Sequence, residues 1–401
     1  MKTRIFFSCL LATLLVWAVC EAQAQVTVNC SSGQTITQAL QSAPLGQPMT
    51  IMVSGQCDEN VVIDRNDVTL KKDPSGGSVK GPDQTKATIT VAAARTVIDG
   101  LTVTGGRSGI TVLGSATLQN CIVQNAGKSG IVFYHGSQGT VDKCRVQNNA
   151  SYGIAIEGGS ATVTNSRISA NTDAGIVVSL SGSARIGITD HDEYAPNTIS
   201  DNRSNGIMIN DGSGAFIGGN TIRGNGTTAG HLLGQYGVAI YRATAILVGN
   251  NRISGNRGSG VLALGSAVII GDPAFGLDYA NEINNNGGGV GVSAKGGIFG
   301  FLGSSLDIRN AAIKDNTGNG VTLSTRSTAR MSDNTKITGN KENGILLVAG
   351  GGLLLPASAM TVTGNTLFGL QCTDGESSFA GITTGISGNT GGQVSPSCTG
   401  F

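Results

Sequence analysis

Residues 149–178 read NASYGIAIEGGSATVTNSRISANTDAGIVV and hold one full cycle of a repeat plus the start of the next. Three short β-type runs follow one another in it: Gly153-Ile154-Ala155-Ile156, Ala161-Thr162-Val163 and Arg167-Ile168-Ser169. Glycine, asparagine and serine separate the runs. Working outward, a glycine followed by Ile, Val or Leu returns at Gly109, Gly130, Gly153, Gly175, Gly206, Gly237, Gly260, Gly289, Gly320, Gly344 and Gly369, at intervals of 21 to 31 residues. An asparagine stands three or four residues before most of these glycines: Asn149, Asn171, Asn202, Asn256, Asn286, Asn316, Asn340 and Asn365, with Asn225 displaced by an insertion before Gly237. A second series, Asn120, Asn165, Asn197, Asn220, Asn250, Asn281, Asn310 and Asn334, precedes the next strand of each cycle.

A repeat of this length fits a leucine-rich repeat or a parallel β-helix. Leucines in a fixed frame are missing and each cycle holds three short strands, so the cycle reads as one coil of a β-helix. Coils stack at the strand spacing of about 4.8 Å, which places each repeated residue over its counterpart and makes about eleven coils a rod roughly 50 Å long. An asparagine repeated at one turn then forms a ladder of amide bonds that satisfies buried polar groups. Glycine beside it allows left-handed or closely packed backbone.

The composition agrees. Of 401 residues 62 are glycine, and only 13% are charged and 4% aromatic. Hydrophobic residues still make up 39%, which excludes a disordered chain, and 8 prolines exclude a collagen. Lys2 and Arg4 precede an apolar run from Ile5 to Val19, and Ala22-Gln23-Ala24 supplies a cleavage pattern, so residues 1–24 read as an export signal. Removing Lys2, Arg4 and Glu21 turns 26 basic and 25 acidic residues into 24 of each. A neutral chain without a basic stripe argues against nucleic acid as partner. No later apolar run is long enough to span a membrane, so a secreted, soluble monomer is expected.

The Asn-x-x-x-Gly-Ile repeats resemble secreted right-handed parallel β-helix proteins of the pectin lyase-like superfamily over about residues 50 to 370. The resemblance implies an all-β, single-stranded, right-handed parallel β-helix of about eleven or twelve coils. The expected division is an N-terminal cap with the first coils over 25–87, the repeats over 88–370 and a C-terminal cap over 371–401. Residues 35 to 43 place Ile36, Ala39, Leu40 and Ala43 on one helical face, giving a short capping helix. In an oxidising compartment Cys30 with Cys57, and Cys372 with Cys398, are expected to form disulfides that staple the two ends. Cys121 and Cys144 fall one coil apart, which leaves a bridge or a reduced cysteine ladder open.

The superfamily's catalytic patterns are missing from the sequence. It has no Asp-Asp dipeptide, no Gly-His-Gly, no Arg-x-Pro-x-x-Arg and no Asp-Pro-His. Stacking the strands of the Gly-Ile step instead aligns an outward position reading Tyr134, Glu157, Ser179, Asn210, Tyr241, Leu264, Ser293, Ser324 and Val348. The position after it reads His135, Gly158, Leu180, Asp211, Arg242 and Gly265. Tyr134, His135, Tyr241 and Arg242 suit a sugar groove, and Glu157 or Asp211 could act as general acid or base two coils, about 10 Å, apart. Asp211 and Arg242 equally suit a surface ion pair. Asp190, Asp192 and Glu193, in an extension after Ile186-Gly187, could hold calcium or form a solvated turn. A similar extension runs from Asp272 to Tyr279, and His231 lies in the insertion before Gly237. Two functions stay open at this level. One is a non-catalytic protein that binds polysaccharide or a cell-surface glycan, with no cofactor. The other is a polysaccharide lyase, glycoside hydrolase or epimerase with a divergent site.

Overall fold

The computed structural model describes residues 24–42, 44, 46–227, 234–271, 280–288, 295–356 and 360–398. The expected export signal therefore lies, but for its last residue, outside the described residues, as do His231 and the Asp272 to Tyr279 extension. The chain winds as a right-handed parallel β-helix with three faces. Its first face is one parallel sheet of 14 strands, from Val61–Ile63 to Gly392–Val394, each supplied by one coil. The second and third faces belong to a single 26-stranded sheet that bends at every coil. Two long strands near the start, Met49–Asp58 and Val68–Gly81, run through this bend and fuse the two faces.

Fourteen coils exceed the eleven or twelve expected, for a local reason. Val61 and Ile89 open their strands after Asn60 and Thr88 rather than after glycine, and the last strand carries Gly392-Gln393. The step glycine of the tenth coil is Gly297, not Gly289. Ile298 pairs with Val261, whereas Gly289 and Ser293 fall outside the described residues.

Like stacks on like in the interior. Ile131 pairs with Ile154 and Phe133 with Ile156, all fully buried, and each such side chain is worth about 1.5–3 kcal/mol relative to exposure. The step glycines are needed for close approach. A Cβ on Gly153 would lie 2.5 Å from the Gly175 carbonyl oxygen, 2.5 Å from Ile168 Cγ2 and 2.7 Å from Asn171 Nδ2.

The first asparagine series forms an unbroken ladder between the third and first faces. Asn171 Oδ1 accepts from Asn149 Nδ2 at 2.9 Å and from Asn149 N at 3.1 Å. The same pair of bonds recurs through Asn202, Asn225, Asn256, Asn286, Asn316, Asn340 and Asn365 to Asn389, where Gln393 Oε1 closes the column at 3.2 Å. The second series splits into two structural positions at the bend between the second and third faces. Asn120, Asn165, Asn250, Asn310 and Asn334 take left-handed backbone, a conformation asparagine tolerates. The buried ladder runs instead through Asn197, Asn220, Asn251 and Asn281, so Asn251 rather than Asn250 is its member.

This second ladder settles the central cysteines. Ser166 N donates to Asn197 Oδ1, Cys144 N to Ser166 Oγ at 3.0 Å, and Cys121 N to Cys144 Sγ at 3.4 Å. Both cysteines are buried and free, thiols standing where later coils place amides. Hydrogen bonding with Cys121, then burial, pushes the Cys144 thiol well above the ordinary cysteine range.

The ends are closed as the sequence implies. Helix Ile36–Ser42 buries Ile36, Ala39 and Leu40 over the first coil. Its free backbone N–H groups at Ile36 and Thr37 donate to Glu59 at 2.6 and 3.1 Å, and Arg65 donates to the Leu40 carbonyl at 3.3 Å, so two distant residues cap both helix ends. Cys30–Cys57 and Cys372–Cys398 are disulfides, each with Cα atoms 5.0 Å apart. No helix among the described residues is long and apolar enough to cross a membrane.

Asn256→Ala strands the backbone and amide donors of Asn225 without an acceptor, and urea unfolding should show a loss of about 3 kcal/mol. Asn250→Ala meets only a left-handed backbone penalty and should cost about 1 kcal/mol. Ellman's reagent should find no reactive thiol in the native exported protein and two, Cys121 and Cys144, once it is unfolded.

Candidate functional site

The outward side of the first face carries the residues singled out from the sequence. Strand alternation sends the second and fourth residues after each step glycine outward. At the fourth position Asn210 pairs with Tyr241, Tyr241 with Leu264, and Leu264 with Phe301. Tyr134 and Glu157 follow in register on Phe133 and Ile156. Phe301 thus takes the place expected for Ser293, between Leu264 before it and Ser324 and Val348 after it. Phe299, at the second position of the same strand, has its ring centroid 6.0 Å from that of Phe301.

Two further tyrosines stand directly before step glycines and fold onto the second-position residues. Tyr152 packs on Val132, Ala155 and Val177, and Tyr236 packs on Ala239 and Leu262 with Tyr241 and Phe299 beside it. Small residues beneath each ring give it room. The outward first face therefore gathers Tyr134, Tyr152, Tyr241, Phe299 and Phe301, with Tyr236 buried against the rings of Tyr241 and Phe299. The Tyr-Gly pairs at 152–153 and 236–237 were the available sequence signal for two of them.

The electrostatics concentrate in the N-terminal coils. Burial, then the charges of Asp173 and Glu157, push the Tyr152 phenol up to about 12, and its hydrogen bond with Asp173 acts in the same direction. Burial also lifts Tyr241 far above the usual range, against a hydrogen bond with Asn205. Tyr236 N donates to Asn205 Oδ1 at 3.0 Å, so Asn205 links the two tyrosines. His135 lies against the next coil at Gly158, where a Cβ would fall 1.9 Å from Nδ1; only glycine admits the ring there.

Glu157 and Asp211 do not converge. Two coils, about 10 Å, separate them along the axis. Asp211 also faces Arg242 at 3.5 Å across an exposed ion pair. Glu157 instead shares its surroundings with Tyr152 and Asp173.

The carboxylates of the 187–195 extension gather around an arginine. Arg185 bonds to Asp192 and lies 3.8 Å from Asp190, which also accepts from Thr162 Oγ1 at 3.1 Å. Glu193 meets Thr189 through backbone bonds. Among the described residues the one group of three metal-type ligands is Cys30, Cys57 and Glu59, and its two sulfurs are bonded to each other.

The family description "Right handed beta helix region" matches residues 51–190 and 194–382, and the chain belongs to this right-handed β-helix family. Among solved structures it is similar to the periplasmic alginate epimerase AlgG, at 15% identity over 92% of this chain and 83% of that one, with a TM-score of 0.49. It is also similar to the A-module of the Azotobacter vinelandii mannuronan C-5 epimerase AlgE4, at 13% identity over 91% and 93% of the two chains and a TM-score of 0.45. For pectate lyase Pel9A the identity is 12% over 87% and 80%, with a TM-score of 0.36. No curated protein matches the chain.

The Tyr152 phenol has a checkable titration. Its folded value lies above the ordinary 10, so the neutral phenol stabilises the fold below pH 10 and that contribution is lost as pH rises through about 12. The phenolate absorbance missing from Tyr152→Phe should develop near pH 12, and Asp173→Asn should move it down.

Proposed function

We propose that the protein is an exported β-helix that engages an extended polysaccharide laid along its first face. The observation that carries this reading is the gathering of five partly exposed aromatic side chains, Tyr134, Tyr152, Tyr241, Phe299 and Phe301, on one outward face of a chain that is only 4% aromatic. Aromatic rings offer flat apolar surface to the C–H faces of pyranose rings, and Tyr hydroxyls add polar contacts. Coils about 4.8 Å apart spread these rings along the axis, which suits a linear polymer more than a compact ligand. Ser179, Asn210 and the Asp211–Arg242 pair lie between them and supply hydrogen-bonding groups for sugar hydroxyls. The leader over residues 1–24 and the two disulfides support export.

A second reading, chemical processing of the same polysaccharide, is favoured by one local arrangement. Tyr152 is kept protonated between Asp173 and Glu157, with His135 on the adjoining coil. A held phenol can donate a proton to a leaving or ring-adjacent oxygen while Glu157 accepts one, the division of labour that lyase or epimerase chemistry requires.

Electrophoresis of the mature protein through gels containing polyuronates or neutral polysaccharides tests both readings. The first predicts retarded migration in at least one glycan, weakened about tenfold in affinity by Tyr134→Ala combined with Phe301→Ser, a loss of about 1.4 kcal/mol. The second predicts in addition unsaturated products, new reducing ends or altered uronate configuration, abolished in Glu157→Gln while retardation remains. Unaltered migration in every glycan contradicts both.

A further inference from the structure

A second groove opens on the second face, away from the aromatic track. It encloses about 610 Å³ and crosses the strands from Thr96–Asp99 to Gly214–Gly218, which is six strands and about 24 Å at the strand spacing. Its floor is a two-column lattice of hydroxyls. Ser115, Gln138, Ser160 and Ser183 fall in one outward column, and Thr117, Thr140 and Thr162 in the next, so a single amide interrupts the hydroxyls. Thr117, Thr140, Ser160 and Ser183 make no side-chain hydrogen bond within the described protein, so their hydroxyls are available to a ligand. The threonine column ends at Thr162; it continues within the groove as Arg185 and Phe216 and beyond it as Ile246 and Ile269.

Two features mark this as more than a polar strip. The 187–195 extension walls one end, tied down by Asp190 to Thr162 and by both aspartates to Arg185. Phe216 stands at that end, still 40% exposed, with the Arg185 guanidinium 5.5 Å from its ring centre.

The charges decide the ligand class. Arg95 is neutralised by a two-point bond to Asp67 at 2.6 and 2.7 Å, and Arg185 is outnumbered by Asp190 and Asp192. A polyanion would meet no uncompensated positive charge on this floor. We infer that the groove is a second carbohydrate site, one that takes a neutral oligosaccharide, with hydroxyls bound along the Ser and Thr lattice and one sugar face against Phe216. A pyranose ring is about as long as one strand step, so successive sugars meet successive coils.

Titration calorimetry with cellohexaose, xylohexaose and hexagalacturonate tests the assignment. The protein used carries Tyr134→Ala and Phe301→Ser, so that first-face binding is weakened about tenfold and the second-face substitutions report separately on the groove. At least one neutral hexamer is expected to bind this protein. Adding Thr140→Arg, which places bulk in mid-floor, or Phe216→Ala should weaken it at least about tenfold. Thr140→Val with Thr162→Val, which removes hydroxyls at nearly constant size, should weaken it several-fold and covers the case in which the arginine variant does not fold. Three results overturn the assignment: no neutral hexamer binds, binding is indifferent to the second-face substitutions, or hexagalacturonate binds as tightly as the neutral sugars.

Discussion

The asparagine ladder between the third and first faces is the interaction on which the molecule depends. Each rung closes two bonds to its neighbour, from the backbone N–H and from the side-chain amide, onto a single oxygen. Bonds of this kind fix register absolutely, because a slip of one residue would leave buried donors and acceptors unpaired at every coil. The rung also dictates its surroundings. Its amide nitrogen and the step carbonyl of the same coil crowd the step position of the preceding coil, so that position has to be glycine. The high glycine and low charge of the chain follow from this geometry, since small neutral residues stack on copies of themselves without repulsion.

Variation falls between the rungs, and two insertions follow ladder residues directly, between Asn225 and Gly237 and between Asn286 and Gly297. Extensions leave the coil at the bend between the second and third faces after Gly187 and Gly271, and both return to a ladder asparagine, Asn197 and Asn281. Outward side chains are the other freedom. On the first face these are used for tyrosine and phenylalanine, on the N-terminal half of the second for serine and threonine. One scaffold thus presents two chemically different surfaces to solvent, and the direction of both is set by the same axis.

The fold was legible because its determinants are residue types that recur in register. Glycine, asparagine and the terminal cysteines carried it almost entirely, and the coils that escaped notice were those opening without glycine, at Val61 and Ile89. The site was legible only in part. Tyr134, Glu157, Asp211 and Arg242 were placed on one face by counting from the step glycine, a count that holds wherever the coil has regular length. It failed at Gly289 because the tenth coil carries an insertion, and the true step at Gly297 brings Phe299 and Phe301 onto the face. Tyr152 and Tyr236 were missed for a different reason. They belong to the turn rather than the strand, and their place over Ala155 and Ala239 depends on contacts between coils that spacing alone does not encode. The second-face groove left no signal in the sequence at all, since serine and threonine are also what an outward strand position ordinarily holds.

The proposed aromatic track would hold a linear glycan parallel to the helix axis. A crystal structure of the protein soaked with an oligosaccharide that retards its migration tests it most directly. The account predicts sugar rings against the first face between Tyr134 and Phe301, running along the coil stack with at least one ring on Tyr241. A glycan bound only at the third face or at the capped ends, or lying across the coils rather than along them, would contradict it.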